Sequence, residues 1–151
     1  MIVFVNQNHM KRVLITENVA TNETLLKNAF EALEESYEVS YVSNGEDCLN
    51  HLQNSDNYDL CFVLLDLNVP GVFETSLLAR LSSDEKFRTI PVIVFSDQSD
   101  PDKIISCYED GANAFVQRPQ TAEQYLQVIA TITDFWGNIN VLAKPEAAVE
   151  F

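Results

Sequence analysis

The sequence has few of the residues on which several common catalytic and binding sites depend. Only four glycines occur in 151 residues, and they lie too far apart to form a GxGxxG dinucleotide-binding loop or a P-loop. Neither of the two histidines, His9 and His51, belongs to an HExxH zinc motif or can complete a Ser-His-Asp set. We place His51 on the surface of a predicted helix. This residue inventory argues against an enzyme.

Cysteines and long apolar runs are scarce as well. The three cysteines (Cys48, Cys61 and Cys107) are widely spaced and form no CxxC, so we interpret them as reduced structural thiols. No apolar run approaches the roughly 20 residues that a membrane span needs. The apolar start from Met1 to Val5 is too short for a signal peptide. These features predict a cytoplasmic protein without a membrane segment.

Positive charge is the third shortage. Nine Lys and Arg residues stand against 23 Asp and Glu residues, which gives a formal net charge of −14. A protein with this charge repels phosphate groups, so the charge argues against direct binding to nucleic acid. The charge either serves solubility or matches a partner with a basic face.

What the sequence does contain is a regular alternation of strand and helix patterns. Continuous apolar runs typical of buried strands occupy 13–16, 60–65 and 90–96, and shorter strand patterns occupy 38–42 and 114–119. Helical apolar stripes lie at 22–35, 44–54, 75–82, 100–111 and 121–136, and Tyr125 belongs to the last stripe. Asp100 before Pro101 predicts a helix start, whereas Gly111 and Gly137 predict helix ends.

Five strand–helix pairs in strict alternation predict a single α/β domain. The expected architecture is a five-stranded parallel sheet, doubly wound as in the flavodoxin-like folds, with the 38–42 strand near an edge. We assign residues 1–11 to an N-terminal extension, 12–136 to the domain and 137–151 to a C-terminal tail.

Chemically useful residues close four of the five predicted strands. Glu17 and Asn18 follow the first strand, Asp66 follows the third, Ser96 ends the fourth and Arg118 follows the fifth. In parallel α/β sheets the carboxyl ends of the strands meet at one edge, where binding sites form. The sequence therefore predicts a functional site that combines carboxylates, an amide, a hydroxyl and a cation.

With these residues in these places, the chain resembles the receiver domain of two-component response regulators over roughly residues 12–136. The resemblance rests on the residues at the strand ends, on Asp66 within Leu-Asp-Leu-Asn-Val-Pro, on the proline after Arg118, and on the Gly-Ala pair at 111–112. The end of the last helix, Asp134-Phe135-Trp136, is similar to single-domain regulators that partner phytochrome-type kinases.

The resemblance implies that Asp66 accepts a phosphoryl group from a sensor histidine kinase or a phosphotransfer protein. It also implies Mg²⁺ beside Asp66, held by Glu17, Asn18, Asp66 and the backbone carbonyl of Asn68. Mg²⁺ suits such a site because it takes one or two carboxylates and keeps several waters.

Further residues of the resemblance concern the phosphoryl group itself. Ser96 would donate a hydrogen bond to a phosphoryl oxygen and Arg118 would form an ion pair with it. Phe115 corresponds to the family's aromatic switch position, with simple packing as its alternative role. Asp97 and Gln98 directly follow Ser96 and would modulate the site.

The sequence departs from the family pattern at four places. Asn18 replaces the second acid, which removes a negative charge and predicts weaker Mg²⁺ binding. Arg118 replaces the family's lysine, and a planar guanidinium does not behave as a compact ammonium. The usual Asp-Gly after Pro70 is absent. Asp97 stands where a small residue is usual, and it repels the phosphate if it points inward but is an ordinary loop acid if it points outward.

Three functions follow from this pattern. The first is a phosphorelay receiver that signals by docking, since the stretch after Trp136 is too short for an output domain. The second is a pseudo-receiver that binds partners without phosphoryl transfer, and the third is an unrelated flavodoxin-like binding module or hydrolase. The apolar residues near the C-terminus either complete the core or form a homodimer contact: Phe135, Trp136, Val141 and Leu142.

Overall fold

The protein folds around one parallel β-sheet. The structure is a computed structural model that describes residues 10–17, 19–72 and 76–143, with the backbone alone for 19–23. Five strands pair in the order β2-β1-β3-β4-β5, and every pairing is parallel. The strands are β1 (Lys11–Thr16), β2 (Tyr37–Val42), β3 (Leu60–Leu65), β4 (Val92–Ser96) and β5 (Ala114–Gln117).

The degree of burial follows each strand's place in the sheet. All six residues of β3 and all five of β4 are buried, as expected for inner strands that are covered on both faces. No residue of β2 or β5 is fully buried, because these strands form the two edges. The predicted edge position of the second strand is confirmed, and so is the α/β fold class.

Within the described residues, five α-helices cover the two faces of the sheet. They are α1 (Val19–Glu31), α2 (Gly45–Gln53), α3 (Leu77–Ser83), α4 (Pro101–Glu109) and α5 (Ala122–Thr133). Side chains alternate along each strand. Val13 and Ile15 of β1 therefore pack with α1 and α5, whereas Leu14 packs in a second core cluster with α2, α3 and α4.

Side-chain caps start three of the helices where the sequence predicts a start. Asn44 accepts a hydrogen bond from the amide of Asp47, Asp100 from that of Asp102, and Thr121 from that of Gln124. Each cap satisfies an amide that has no partner within the helix. The boundaries are less accurate, because α1 spans 19–31 rather than the predicted 22–35.

The last helix does not end at Gly137, contrary to the prediction. After α5 the chain continues as a π-helix, Asp134–Ile139, which runs through Gly137. A Cβ at this position would overlap the hydroxyl oxygen of Tyr37. Gly137 therefore allows the helix to approach β2 closely. Helix termination is not its role.

Near the C-terminal end, Trp136 packs against the core cluster of α1 and α5, whereas Phe135 and Val141 are exposed. Trp136 thus completes the core, and the homodimer contact stays a prediction. Residues 144–151 of the predicted tail and 1–9 of the predicted extension lie outside the described residues.

A glycine pair positions the loop that follows β3. The amide of Gly45 donates to the carbonyl oxygen of Pro70 at 2.8 Å, and a Cβ on Gly45 would overlap the carbonyl oxygen of Gly71. Gly71 has a φ of +81°, a conformation that glycine adopts at little cost. The start of α2 thereby holds the loop beside the carboxyl edge of the sheet.

Candidate functional site at the carboxyl edge of the sheet

The sheet brings the predicted site residues together at its carboxyl edge. Glu17 follows β1, Asp66 follows β3, Ser96 ends β4 and Arg118 follows β5. All four are buried, with 1–6% of each residue exposed. Charged side chains are seldom buried unless they are paired. The contacts among these groups therefore determine what the site can do.

Backbone hydrogen bonds fix Asp66 in place. Its amide donates to the carbonyl oxygen of Thr16 at 2.9 Å, which extends the contact of β3 with β1 past the last strand residue. The amide of Asn68 donates to Asp66 Oδ1, also at 2.9 Å. The carboxylate thus sits on a rigid strand end and has one oxygen bound by the loop behind it.

Arg118 bridges the two buried carboxylates. Its Nη2 donates to Asp66 Oδ2 at 2.8 Å, and its Nη1 donates to Glu17 Oε1 at 3.4 Å. The backbone amide of Arg118 donates to the carbonyl oxygen of Ser96 at 2.9 Å, which anchors the residue to β4. A buried guanidinium between two carboxylates satisfies charges that would otherwise be costly to desolvate.

Two aromatic residues complete the surroundings of Arg118, and the sequence analysis missed both. Tyr125 on α5 accepts a hydrogen bond from Arg118 Nη1 at 3.1 Å. The guanidinium carbon lies 4.9 Å from the centre of the Phe95 ring, within the range of a cation–π contact. The only signal in the sequence was a tyrosine in an apolar helical stripe, since a buried tyrosine hydroxyl needs a polar partner.

These contacts set the proton affinity of the cation. Burial alone lowers the pKa of the Arg118 guanidinium. The hydrogen bond to Tyr125 and the charges of Asp66 and Glu17 outweigh burial, so the pKa lies above its ordinary value. Burial also raises the pKa of the Tyr125 hydroxyl, although the adjacent Arg118 opposes this. The site thus holds a permanent cation beside a neutral tyrosine at ordinary pH.

The residues after β4 take three different positions. Ser96 is buried, and its Oγ accepts a hydrogen bond from the amide of Gln98 at 3.1 Å. Asp97 points outward with 68% of its side chain exposed, yet its Oδ1 lies 3.9 Å from Arg118 Nε. Gln98 uses its side-chain oxygen to accept from the amide of Asp100 just before α4. Asp97 therefore lies at the mouth of the site, and Gln98 connects the loop to α4.

The remaining predicted residues are Asn68, whose amide contacts Asp66, and Phe115 and Asn18. Asn68 is exposed. Phe115 is half-buried against the cluster of α2, α3 and α4, and its amide donates to the Tyr108 hydroxyl at 3.0 Å. Packing is thus its observed role, and the switch assignment stays a prediction. Asn18 lies outside the described residues.

The oxygen donors of the site suit a hard divalent cation only in part. Within the described residues, no group of three or more His, Cys, Asp or Glu is arranged to hold a metal. The carboxylates of Glu17 and Asp66 nevertheless lie together, and such oxygens are the ligands Mg²⁺ prefers. Because Arg118 already contacts both of them, a metal ion there would have to share them with the guanidinium.

Comparison with known proteins decides the family. The model of the response regulator receiver domain matches residues 13–130. The chain belongs to the response regulator receiver family. This receiver domain resembles the chemotaxis protein CheY of Pseudomonas aeruginosa, with 28% identity over 121 residues that make up 80% of this chain and 94% of CheY.

Two cyanobacterial regulators are similar in structure. The phosphorylated phytochrome response regulator RcpA is 25% identical to this receiver domain and superposes with a TM-score of 0.80. The superposition covers 90% of this chain and all of RcpA. Response regulator Rcp1 of Synechocystis sp. is 23% identical over 133 residues, 85% of this chain and 90% of Rcp1. The Mn²⁺-bound form of Rcp1 superposes with a TM-score of 0.76 at 22% identity, covering 89% of this chain and 99% of Rcp1.

Membership in this family carries a general role. Receiver domains are signalling modules that bind a divalent metal and act with histidine kinases or phosphotransfer proteins in phosphorelays. A phosphorelay receiver is therefore favoured over a pseudo-receiver. In the described part of this receiver domain, no helix combines the length and the apolar character needed to cross a membrane.

Proposed function

We propose that this receiver domain accepts a phosphoryl group on Asp66 from a sensor histidine kinase or a phosphotransfer protein. The observation that carries the proposal is the buried Asp66 carboxylate at the end of β3 with the Arg118 guanidinium 2.8 Å away. The protein then signals from the cytoplasm by docking, and it acts as a signalling module without a substrate of its own.

The transfer is an in-line displacement. A carboxylate oxygen of Asp66 forms a bond to phosphorus while the phosphorus–nitrogen bond of the phosphohistidine breaks. The electron pair of that bond stays on the imidazole nitrogen, which takes up a proton, and Asp66 becomes an acyl phosphate. Stabilising the negative charge on the phosphoryl oxygens is the main requirement of this step.

The residues of this site supply that stabilisation from two sides. Arg118 lies beside Asp66 and can ion-pair with a phosphoryl oxygen. The Ser96 hydroxyl accepts from the Gln98 amide, so its own proton can point toward the phosphoryl group. Glu17, Asn18, Asp66 and the carbonyl of Asn68 would hold Mg²⁺. When bound, that ion would neutralise further charge on the transferring group.

Phosphorylation from a small donor tests this proposal. We expect acetyl phosphate with millimolar Mg²⁺ to add the mass of one phosphoryl group to the wild type, detected by intact-protein mass spectrometry. Asp66→Asn removes the acceptor and should show no gain, whereas the control Asp102→Asn changes an exposed carboxylate on α4 and should behave as wild type. Equal labelling of Asp66→Asn would place the phosphoryl group on another residue. No labelling of the wild type would leave a phosphorylation-independent interaction module as the function.

A further inference from the structure

The guanidinium of Arg118 is fixed by contacts with several surrounding groups. Two of its nitrogens donate to the carboxylates of Asp66 and Glu17. The Phe95 ring faces the guanidinium at 4.9 Å, and the Phe95 carbonyl oxygen accepts from Nη2 at 3.4 Å. The Tyr125 hydroxyl accepts from Nη1 at 3.1 Å. An arginine side chain loses considerable rotamer freedom when it is fixed in this way, so the surrounding contacts must compensate.

Tyr125 is itself immobilised by the fold. It is 1% exposed and packs edge-on against Phe95, with the ring centres 5.9 Å apart. It lies one turn into α5, which begins at the Thr121 cap and packs on the face of the sheet opposite α3 and α4. Tyr125 and Phe95 therefore form a packed aromatic support, and the Tyr125 hydroxyl is its polar side-chain group that contacts Arg118.

We propose that Tyr125 is a positioning residue of this site. Together with Phe95, it holds the Arg118 guanidinium between the carboxylates of Asp66 and Glu17. There the positive charge of Arg118 competes with a divalent cation for the two carboxylates. The inference rests on the proposed function for its meaning in signalling. The competition with Mg²⁺ does not depend on the proposed function, because both carboxylates that would bind Mg²⁺ are partners of Arg118. Loosening Arg118 should release them for the metal.

Deletion of one hydroxyl group tests this directly. Tyr125→Phe keeps the ring packing and removes one of the two acceptors of Arg118 Nη1. We therefore expect Mg²⁺ to bind about three- to tenfold more tightly by isothermal titration calorimetry. The matched control is Tyr37→Phe, which removes a half-buried hydroxyl bonded to Glu35 and to the Thr133 carbonyl, away from the site. The control should leave the Kd for Mg²⁺ unchanged.

A spectroscopic readout separates positioning from general destabilisation. In the wild type, the guanidinium of Arg118 should rotate slowly and give separate Nη–H signals in ¹⁵N NMR spectra. These signals should merge in Tyr125→Phe and persist in Tyr37→Phe. If Mg²⁺ binds none of the proteins measurably, these signals alone decide the matter: unchanged signals in Tyr125→Phe would overturn the proposal.

A double-mutant cycle then asks whether Tyr125 acts through Arg118. We expect Tyr125→Phe to change the Kd for Mg²⁺ in the Arg118 protein and to have little effect in the Arg118→Lys background, because the compact ammonium cannot bridge the same groups. Equal effects in both backgrounds would contradict the positioning role.

The two proposals fail in different ways. If acetyl phosphate labels neither the wild type nor any variant, the proposed function fails while the Mg²⁺ and NMR comparisons still decide the role of Tyr125. If Asp66 is labelled but Tyr125→Phe matches the wild type in both comparisons, the positioning role alone is overturned.

Discussion

At the scale of single residues, the arginine in place of the family's lysine changes the character of the site. Lysine offers one compact ammonium group, whereas the planar guanidinium of Arg118 reaches Asp66, Glu17 and Tyr125 at once. The charge of the two carboxylates is thus partly balanced by the chain itself. The predicted weakness of Mg²⁺ binding, first attributed to Asn18, gains a second physical cause in Arg118.

Removing this cation should destabilise the whole fold. Arg118→Met leaves Asp66 and Glu17 buried without their partner, so we expect a loss of about 3 kcal/mol in the free energy of unfolding. Arg118→Lys should lose less because it keeps a positive charge. Urea unfolding followed by circular dichroism measures both, and Arg80→Met, at an exposed position on α3, is the control. A midpoint for Arg118→Met equal to that of the control would show that the buried ion pairs contribute nothing.

At the scale of helices and strands, the local sequence predicted where helices begin better than where they end. Asn44, Asp100 and Thr121 were recognisable because a capping side chain acts on an amide only two or three residues away. Gly137 was misread because its role depends on Tyr37, which is 100 positions earlier in the chain. A contact of this kind leaves no periodic trace in the sequence.

The close approach at Gly137 can be measured. Gly137→Ala places a methyl group against the Tyr37 hydroxyl. Tyr37 cannot move freely because its ring packs edge-on against the ring of Phe30, with the ring centres 6.4 Å apart. We expect a loss of about 1–2 kcal/mol in stability, although alanine by itself favours a helix. In the Tyr37→Phe background the same change should cost less, because the nearest atom is gone. Equal losses in the two backgrounds, by thermal or urea unfolding, would rule out this account.

At the scale of the whole molecule, topology assembles a site from residues far apart in the chain. Glu17 and Arg118 are separated by 101 positions, yet the strand order β2-β1-β3-β4-β5 brings them to one edge. The sequence was sufficient for this much, since parallel strands order their own carboxyl ends. It could not show that Tyr125 reaches across from α5, because the orientation of a helix on the sheet is set by packing.

The stability of the fold should depend on pH through the ionisation of its buried thiols. Burial raises the pKa of Cys48 to about 11, with the Thr16 hydroxyl opposing slightly. In the unfolded chain this thiol ionises near 8.5. Between these values the unfolded state has lost a proton that the folded state keeps, so stability is fully present below about pH 8.5 and falls as the pH rises.

Cysteine reactivity and a single substitution check this dependence. We expect the wild type to lose about 1–2 kcal/mol of unfolding free energy between pH 8 and pH 10 because of Cys48, and Cys48→Ala to lack that part of the slope. Native protein at pH 8 should also resist iodoacetamide at Cys48, as judged by peptide mass spectrometry, and react fully in urea. Identical slopes for the two proteins, or rapid alkylation of the native thiol, would mean that Cys48 ionises as freely in the fold as in the unfolded chain.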